Sequence, residues 1–216
     1  MTIDATVTAQ STTTWNHNNA GNMLVVAISL WSAGEANCSI TNVTFNGDAL
    51  TKAIESDGDG GVKQSIWYLA NPDVGNYQIA LTKSGTGAFS TTASSISFSG
   101  AKTTIGATAK NKGTSNAPSV VVAATNDSGY VVDAGYSNMG SVPPEAGANQ
   151  TALHALYVGG NSRYSSYKAF AASGNVTMAW IASPSGFWVT CALEIGSDAA
   201  PAAAATPSNL LLMGVG

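Results

Sequence analysis

The sequence predicts an all-β fold: a two-sheet antiparallel β-sandwich, jelly-roll-like, with an extended C-terminal tail. Three observations carry that expectation. Short runs of Val, Ile, Thr and aromatic residues recur along the chain, each bounded by Gly, Pro, Asn or Asp. No stretch shows a sustained helical period. About a dozen strands result, too many for one open sheet, so two packed sheets are required.

The organising run is Met23-Leu24-Val25-Val26-Ala27-Ile28-Ser29-Leu30-Trp31. It is too short to span a membrane and too β-rich for a helix. Alternation sends Leu24, Val26, Ile28 and Leu30 one way and Met23, Val25, Ala27 and Trp31 the other. Both faces are apolar, so this is a central strand covered on both sides.

Before it, Ile3, Ala5 and Val7 alternate in an edge strand or arm, and Trp15 to Asn22 reads as an Asn-rich turn with His17 facing solvent. After it, Ile40 to Asn46 is a strand, and Asn46-Gly47-Asp48 is a hairpin signal leading into Ala49 to Ile54. Glu55 to Gly61 is an acidic glycine loop. Val62 to Ala70 is a strand with Ile66 and Tyr68 opposite Trp67 and Leu69, and Tyr77, Ile79 and Leu81 belong to a strand with one wet face. Ile96 and Phe98 mark another, ending at Gly100.

The second half repeats this rhythm without repeating the sequence. Thr103 to Ala109 is a weak strand. Ser119 to Ala124, Tyr130 to Gly135, Thr151 to Val158, Arg163 to Ala171, Asn175 to Ala182 and Phe187 to Ile195 are stronger ones, separated by turns such as Gly159-Gly160-Asn161 and Ser183-Pro184-Ser185-Gly186. The reading divides the chain into a sandwich domain, 1–196, an Ala/Pro-rich linker, 197–209, and an apolar C-terminal anchoring segment, 210–216.

Composition narrows the function classes. Hydrophobic residues are 44% of the 216, but charged residues only 9%, against roughly 25% in ordinary soluble domains. Solubility therefore rests on Ser, Thr, Asn and Gly. A net charge of −4 and a single arginine, Arg163, exclude the basic footprint of nucleic-acid binding. Lys102, Lys110 and Lys112 read as a solvated loop. The start, Met1-Thr2-Ile3-Asp4, has no secretory pattern, so free thiols are the default for Cys38 and Cys191, with a disulfide as the alternative.

No reacting constellation emerges, and the reading is of a protein that is not an enzyme and needs no cofactor. His17 and His154 are the only histidines, and His154 alternates on a strand as a satisfied or surface residue. Asp133 and Glu194 lie on strands, but nothing in the sequence brings them together as a carboxylate pair. Asp57 and Asp59, in a tight glycine loop, form a weak calcium candidate that lacks a following bidentate Glu. Trp67 and Trp188 fall opposite the main apolar stripe and are the candidates for glycan stacking, although core packing is the commoner fate of such rings.

The matching motifs Asn22-Met23-Leu24-Val25-Val26, Val43 to Thr51, Trp67-Tyr68-Leu69-Ala70-Asn71-Pro72, Gly75 to Ile79 and Ser97-Phe98-Ser99-Gly100-Ala101 resemble the jelly-roll-type β-sandwich domains of tailed-bacteriophage virion proteins, over roughly residues 20–196. Related domains occur on bacterial surface proteins. The resemblance implies a structural role in a particle: a capsid decoration or cement subunit, or a tail or fibre component, assembled in the host cytoplasm and located in the virion. The expected partners are further copies of the chain, with a trimer as one arrangement, and other virion proteins such as the major capsid protein. Nucleic acid and membrane are not expected as partners. The alternative is a carbohydrate-binding or adhesin module, of a phage fibre or at the cell surface.

The sharpest partner-binding candidate is the segment Leu210, Leu211, Leu212, Met213 and Val215. Its linker reaches roughly 40 Å when extended. Burying five apolar side chains gives about 7–15 kcal/mol, and ordering seven residues costs about as much. Docking becomes favourable once the tail adds strand hydrogen bonds to a neighbour's sheet edge or many copies act together.

Overall fold

The computed structural model describes residues 1–10, 12–32, 38–58, 61–85, 89–138 and 142–198. Seventeen strands, all antiparallel, are present among them. The first half holds β1 (Thr2–Gln10), β2 (Thr14–Asn19), β3 (Met23–Ser32), β4 (Ser39–Phe45), β5 (Asp48–Ala49), β6 (Thr51–Asp57), β7 (Val62–Ala70), β8 (Gly75–Ser84) and β9 (Phe89–Ser99). The second holds β10 (Thr108–Ser115), β11 (Ser119–Ala124), β12 (Gly129–Ser137), β13 (Glu145–Ala146), β14 (Thr151–Val158), β15 (Asn161–Phe170), β16 (Gly174–Ile181) and β17 (Gly186–Gly196).

The sandwich expectation stands, and the number of layers rises from two to four. The sheets run β2-β8-β4-β5, β1-β9-β3-β7-β6, β10-β17-β12-β15-β14 and β11-β16-β13. β3 is the middle strand of its sheet and is buried along almost its whole length. Leu24, Val26, Ile28 and Leu30 pack with Val43, Phe45, Ile79 and Leu81 from the β2-β8-β4-β5 sheet. Met23, Val25 and Ala27, with Ile96 and Phe98 of β9, pack on the opposite side against Val132, Leu193 and Ile195. The far side of that third sheet, Val131 and Ala192, closes on Val120, Val122, Val176 and Met178 of the fourth. Both five-stranded sheets are thus covered on both faces.

The two halves share one topology. Placing β10 on β1, β11 on β2, β12 on β3, β13 on β4, β14 on β6, β15 on β7, β16 on β8 and β17 on β9 reproduces both sheet orders, with only β5 left over. Gly75 and Gly174 open the equivalent strands β8 and β16, with φ of 141° and 131°, which a residue with a Cβ rarely adopts. The halves also grip each other reciprocally. Asp198 N donates to Gly100 O and Lys102 N donates to Gly196 O, both at 2.9 Å, around an Ala101–Ser197 bridge. That exchange is the ordinary hydrogen-bond pattern of an antiparallel bridge.

Two sequence expectations shift and a third holds. Residues 14–19 form strand β2 rather than a turn, because Trp15, His17 and Asn19 alternate inward against Thr14, Asn16 and Asn18 outward. The weak strand expected at Thr103 to Ala109 lies later, as β10, and carries Lys110 and Lys112 on a strand. Asn46-Gly47 does make the hairpin turn, with φ of 51° and 93°.

Tyr164 lies across Gly135, whose place a Cβ would contest at 1.9 Å from the ring. Tyr164 in turn packs on Trp180, ring centroids 4.7 Å apart. The Gly135→Ala substitution is therefore expected to destabilise the fold by about 3 kcal/mol, read as a lower urea midpoint with an unchanged slope.

Candidate functional site

The residues singled out in the sequence separate widely. Trp67 and Trp188 are 4% and 5% exposed, so both take the commoner fate of core packing and the glycan-stacking candidacy is corrected. Trp67 belongs to the core beneath β3, because its sheet has no uncovered face, and its Nε1 donates to Ser65 Oγ at 3.0 Å. Trp188 covers its cross-strand partner Gly113 and donates to Ser115 Oγ at 3.0 Å. Neither ring offers a face for a sugar. Asp57 is engaged by Lys63 Nζ at 2.9 Å, and Lys63 also reaches Glu55 at 3.4 Å. Asp59, the residues from 199 of the linker, and Leu210, Leu211, Leu212, Met213 and Val215 lie outside the described residues. Cys38 and Cys191 are buried in different core clusters and are not joined by a disulfide.

Both histidines are buried, which corrects the solvent-facing reading of His17. Serines on β9 hold them on opposite faces of one sheet: Ser95 Oγ meets His17 Nδ1 at 2.9 Å, and Ser94 Oγ meets His154 Nδ1 at 2.5 Å. Ser95 also accepts from Trp15 Nε1 at 3.0 Å. Burial lowers His17 to about 4. Burial, with the charge of Arg163, lowers His154 to about 3. Arg163 is 1% exposed between the inner sheets, and its Nη1 donates to Ser90 Oγ at 2.7 Å and Thr92 Oγ1 at 3.3 Å. No ion pair to it occurs among the described residues, and burial lowers its affinity for the proton.

Asp133 takes the place in β12 that Val26 has in β3, and it is fully buried. Trp180 Nε1 donates to its Oδ2 at 2.7 Å, while Ser166 N and Oγ donate to its Oδ1 at 2.5 and 2.9 Å. Burial lifts Asp133 to about 6, against the downward pull of those bonds. A Ser-His-Asp relay does not assemble: Asp133 faces the outer sheet, whereas His154 faces Ser94 across the inner interface. Glu194 instead holds loops. Its carboxylate accepts from Ala107 N at 2.7 Å, Asn126 N at 2.8 Å, Asn126 Nδ2 at 2.8 Å and Thr125 N at 3.0 Å. Burial raises its pKa, but those bonds outweigh it and leave it below the ordinary carboxylate value.

What remains for recognition is surface. Outward from β2 and β8 stand Thr14, Asn16, Asn18, Asn76, Gln78 and Thr82, all exposed and none charged. The equivalent face of β11 and β16 carries Ser119, Val121, Ala123, Asn175, Thr177 and Ile181, with Val121 48% and Ile181 59% exposed. An open groove of about 370 Å³ runs where β6 meets β10, lined by Ser56, Asp57, Lys110, Asn111 and Lys112. Among the described residues no group of three or more metal-ligating side chains occurs.

The buried polar centres were invisible in the sequence because each assembles from distant strands. The one local signal was Asp133 within Val131-Val132-Asp133-Ala134, a carboxylate on the covered side of a strand. No family model, no curated protein and no solved structure matches this chain.

Two predictions follow from the buried charges. Asp133→Val, the residue of the other half, strips the acceptor from Trp180 Nε1 and Ser166 N and is expected to cost about 3 kcal/mol by urea titration. Acid acts through the histidines. Unfolded histidine titrates near 6.5, so as pH falls below that value the unfolded chain takes up protons that the fold refuses. Stability is complete above 6.5 and is lost toward 4 and 3. Asp133 runs the other way: its folded pKa is raised from 3.8 to about 6, so lowering the pH across that interval stabilises the fold and offsets one histidine. A net loss of about 3 kcal/mol between pH 6.5 and 4 is expected, and His154→Gln should remove most of it.

Proposed function

We propose that this chain is a structural subunit of a virion, a bacteriophage capsid decoration or cement protein or a tail component, joined to its neighbours through the segment 210–216. The observation that carries the reading is the four-layer body itself. Two equivalent sandwiches are fused face to face, the buried ionisable groups serve packing and loop anchorage, and the outward faces of β2 with β8 and of β11 with β16 carry no charged side chain, Glu145 of β13 standing beside the second. Such a body suits repeated contact with flat protein surfaces, where charged rims would have to be desolvated. The proposed partners are further copies of the chain and the major capsid protein. An apolar tail on a long linker suits multivalent fastening, because many weak contacts act together.

A second reading, a carbohydrate-binding or adhesin module, draws on the face formed by Asn16, Asn18, Asn76 and Gln78, whose amides both donate and accept as sugar hydroxyls require. With Trp67 and Trp188 buried, it would lack those two rings as stacking partners.

The test is co-sedimentation with purified particles from the native source. The full chain is expected to bind at regular positions visible by electron microscopy, and a chain ending at Asp198 is expected to lose at least about tenfold in affinity. Undiminished binding by the shortened chain would reject the fastener. Binding to a glycan array but not to particles would favour the second reading.

A further inference from the structure

We propose that Lys102 and Asn126 become joined by an intramolecular isopeptide bond, formed with the help of Glu194. Lys102 Nζ donates to Asn126 Oδ1 at 2.5 Å, and Asn126 Nδ2 donates to Glu194 Oε1 at 2.8 Å. The amide is thus held between an amine and a carboxylate, with its oxygen toward the nucleophile and its nitrogen toward the base. A lysine can only donate and a carboxylate can only accept, so the orientation of the amide is settled by its neighbours.

The backbone places these groups. Lys102 N is tied to Gly196 O at 2.9 Å, two residues along β17 from Glu194. The Asn126 side chain lies against Gly196, where a Cβ would sit 2.4 Å from Asn126 Cγ. Asn126 N donates to the same Glu194 oxygen at 2.8 Å. With a carbonyl bond of about 1.23 Å, Lys102 Nζ is within about 3.7 Å of Asn126 Cγ, close to the roughly 3–3.5 Å of a near-attack geometry.

The chemistry balances without an added reactant. Lys102 Nζ, as the free amine, adds to Asn126 Cγ. In the tetrahedral adduct both nitrogens sit on one carbon, so the carboxylate beside Nδ2 is beside Nζ as well. Glu194 takes the proton from Nζ and delivers it to Nδ2, the Cγ–Nδ2 bond breaks and ammonia leaves. A new Nζ–Cγ amide remains, with no change of oxidation state. Lys102 lies in the segment between the two sandwiches and is exposed, so base in the surrounding solvent has access to its ammonium proton before the amine adds. The link would fasten that segment to the β11–β12 turn.

Intact-mass spectrometry of the purified full chain, incubated at mildly alkaline pH, is the test. The expected result is a mass short by one ammonia, with a branched tryptic peptide joining Lys102 to Asn126. Lys102→Arg, an exposed change that keeps the charge, is expected to hold the full mass. Glu194→Gln is expected to slow the loss about a hundredfold. If that variant does not fold, the Lys102→Arg comparison and the peptide map still decide. Full mass after prolonged incubation overturns the proposal. So does an ammonia loss that maps to a linear peptide containing a succinimide at Asn126-Asp127. Loss at an unchanged rate in folded Glu194→Gln overturns the role given to Glu194.

Discussion

The contact between the two five-stranded sheets is what the molecule depends on. Met23, Val25 and Phe98 from one half meet Val132, Leu193 and Ile195 from the other. Without it each half would expose one apolar face of its larger sheet, a patch far beyond what a soluble surface tolerates. The contact also decides which residues are allowed elsewhere. A sheet covered on both sides has no wet face, so every polar group on it must find a partner inside the protein.

β9 shows how that condition is met. Ser94 and Ser95 are adjacent and point to opposite layers, one to His154 and the other to His17 and Trp15. Small hydroxyl side chains leave room for large rings from the neighbouring sheet while answering the indole Nε1 and the Nδ1 of each imidazole. The second half solves the same problem with charge. Where the first packs Val26 near Leu81, the second packs Asp133 with Trp180, a carboxylate beside an indole N–H. The topology is retained while the interior chemistry is exchanged.

Much of this was legible in the residues. The double apolar alternation of Met23 to Trp31 predicts a strand covered on both faces, and β3 is one. Asn46-Gly47 predicts the hairpin that is there. The likeness of the two halves showed only as rhythm, since sheet order is a property of pairing and not of any local pattern. β2 was missed because Trp15-Asn16-His17-Asn18-Asn19 has turn composition, while its strand character comes from what its inward side chains touch. Trp67 and Trp188 looked exposable on the assumption of one sandwich, in which each sheet keeps an open side; four layers remove that side from the inner sheets. The Lys102, Asn126 and Glu194 arrangement joins three separated stretches and leaves no trace in any one of them.

Joining the two sandwiches in a single polypeptide has a consequence that two separate copies could not reach. In a symmetric pair every substitution appears twice, so both extremities stay alike. Here one extremity is dominated by carboxamides, at Asn16, Asn18, Asn76 and Gln78, whereas the other sets the aliphatic side chains of Val121 and Ile181 beside a single carboxamide, Asn175. The molecule therefore possesses a head and a foot, and a surface that tells amide from methyl will favour one orientation over the other.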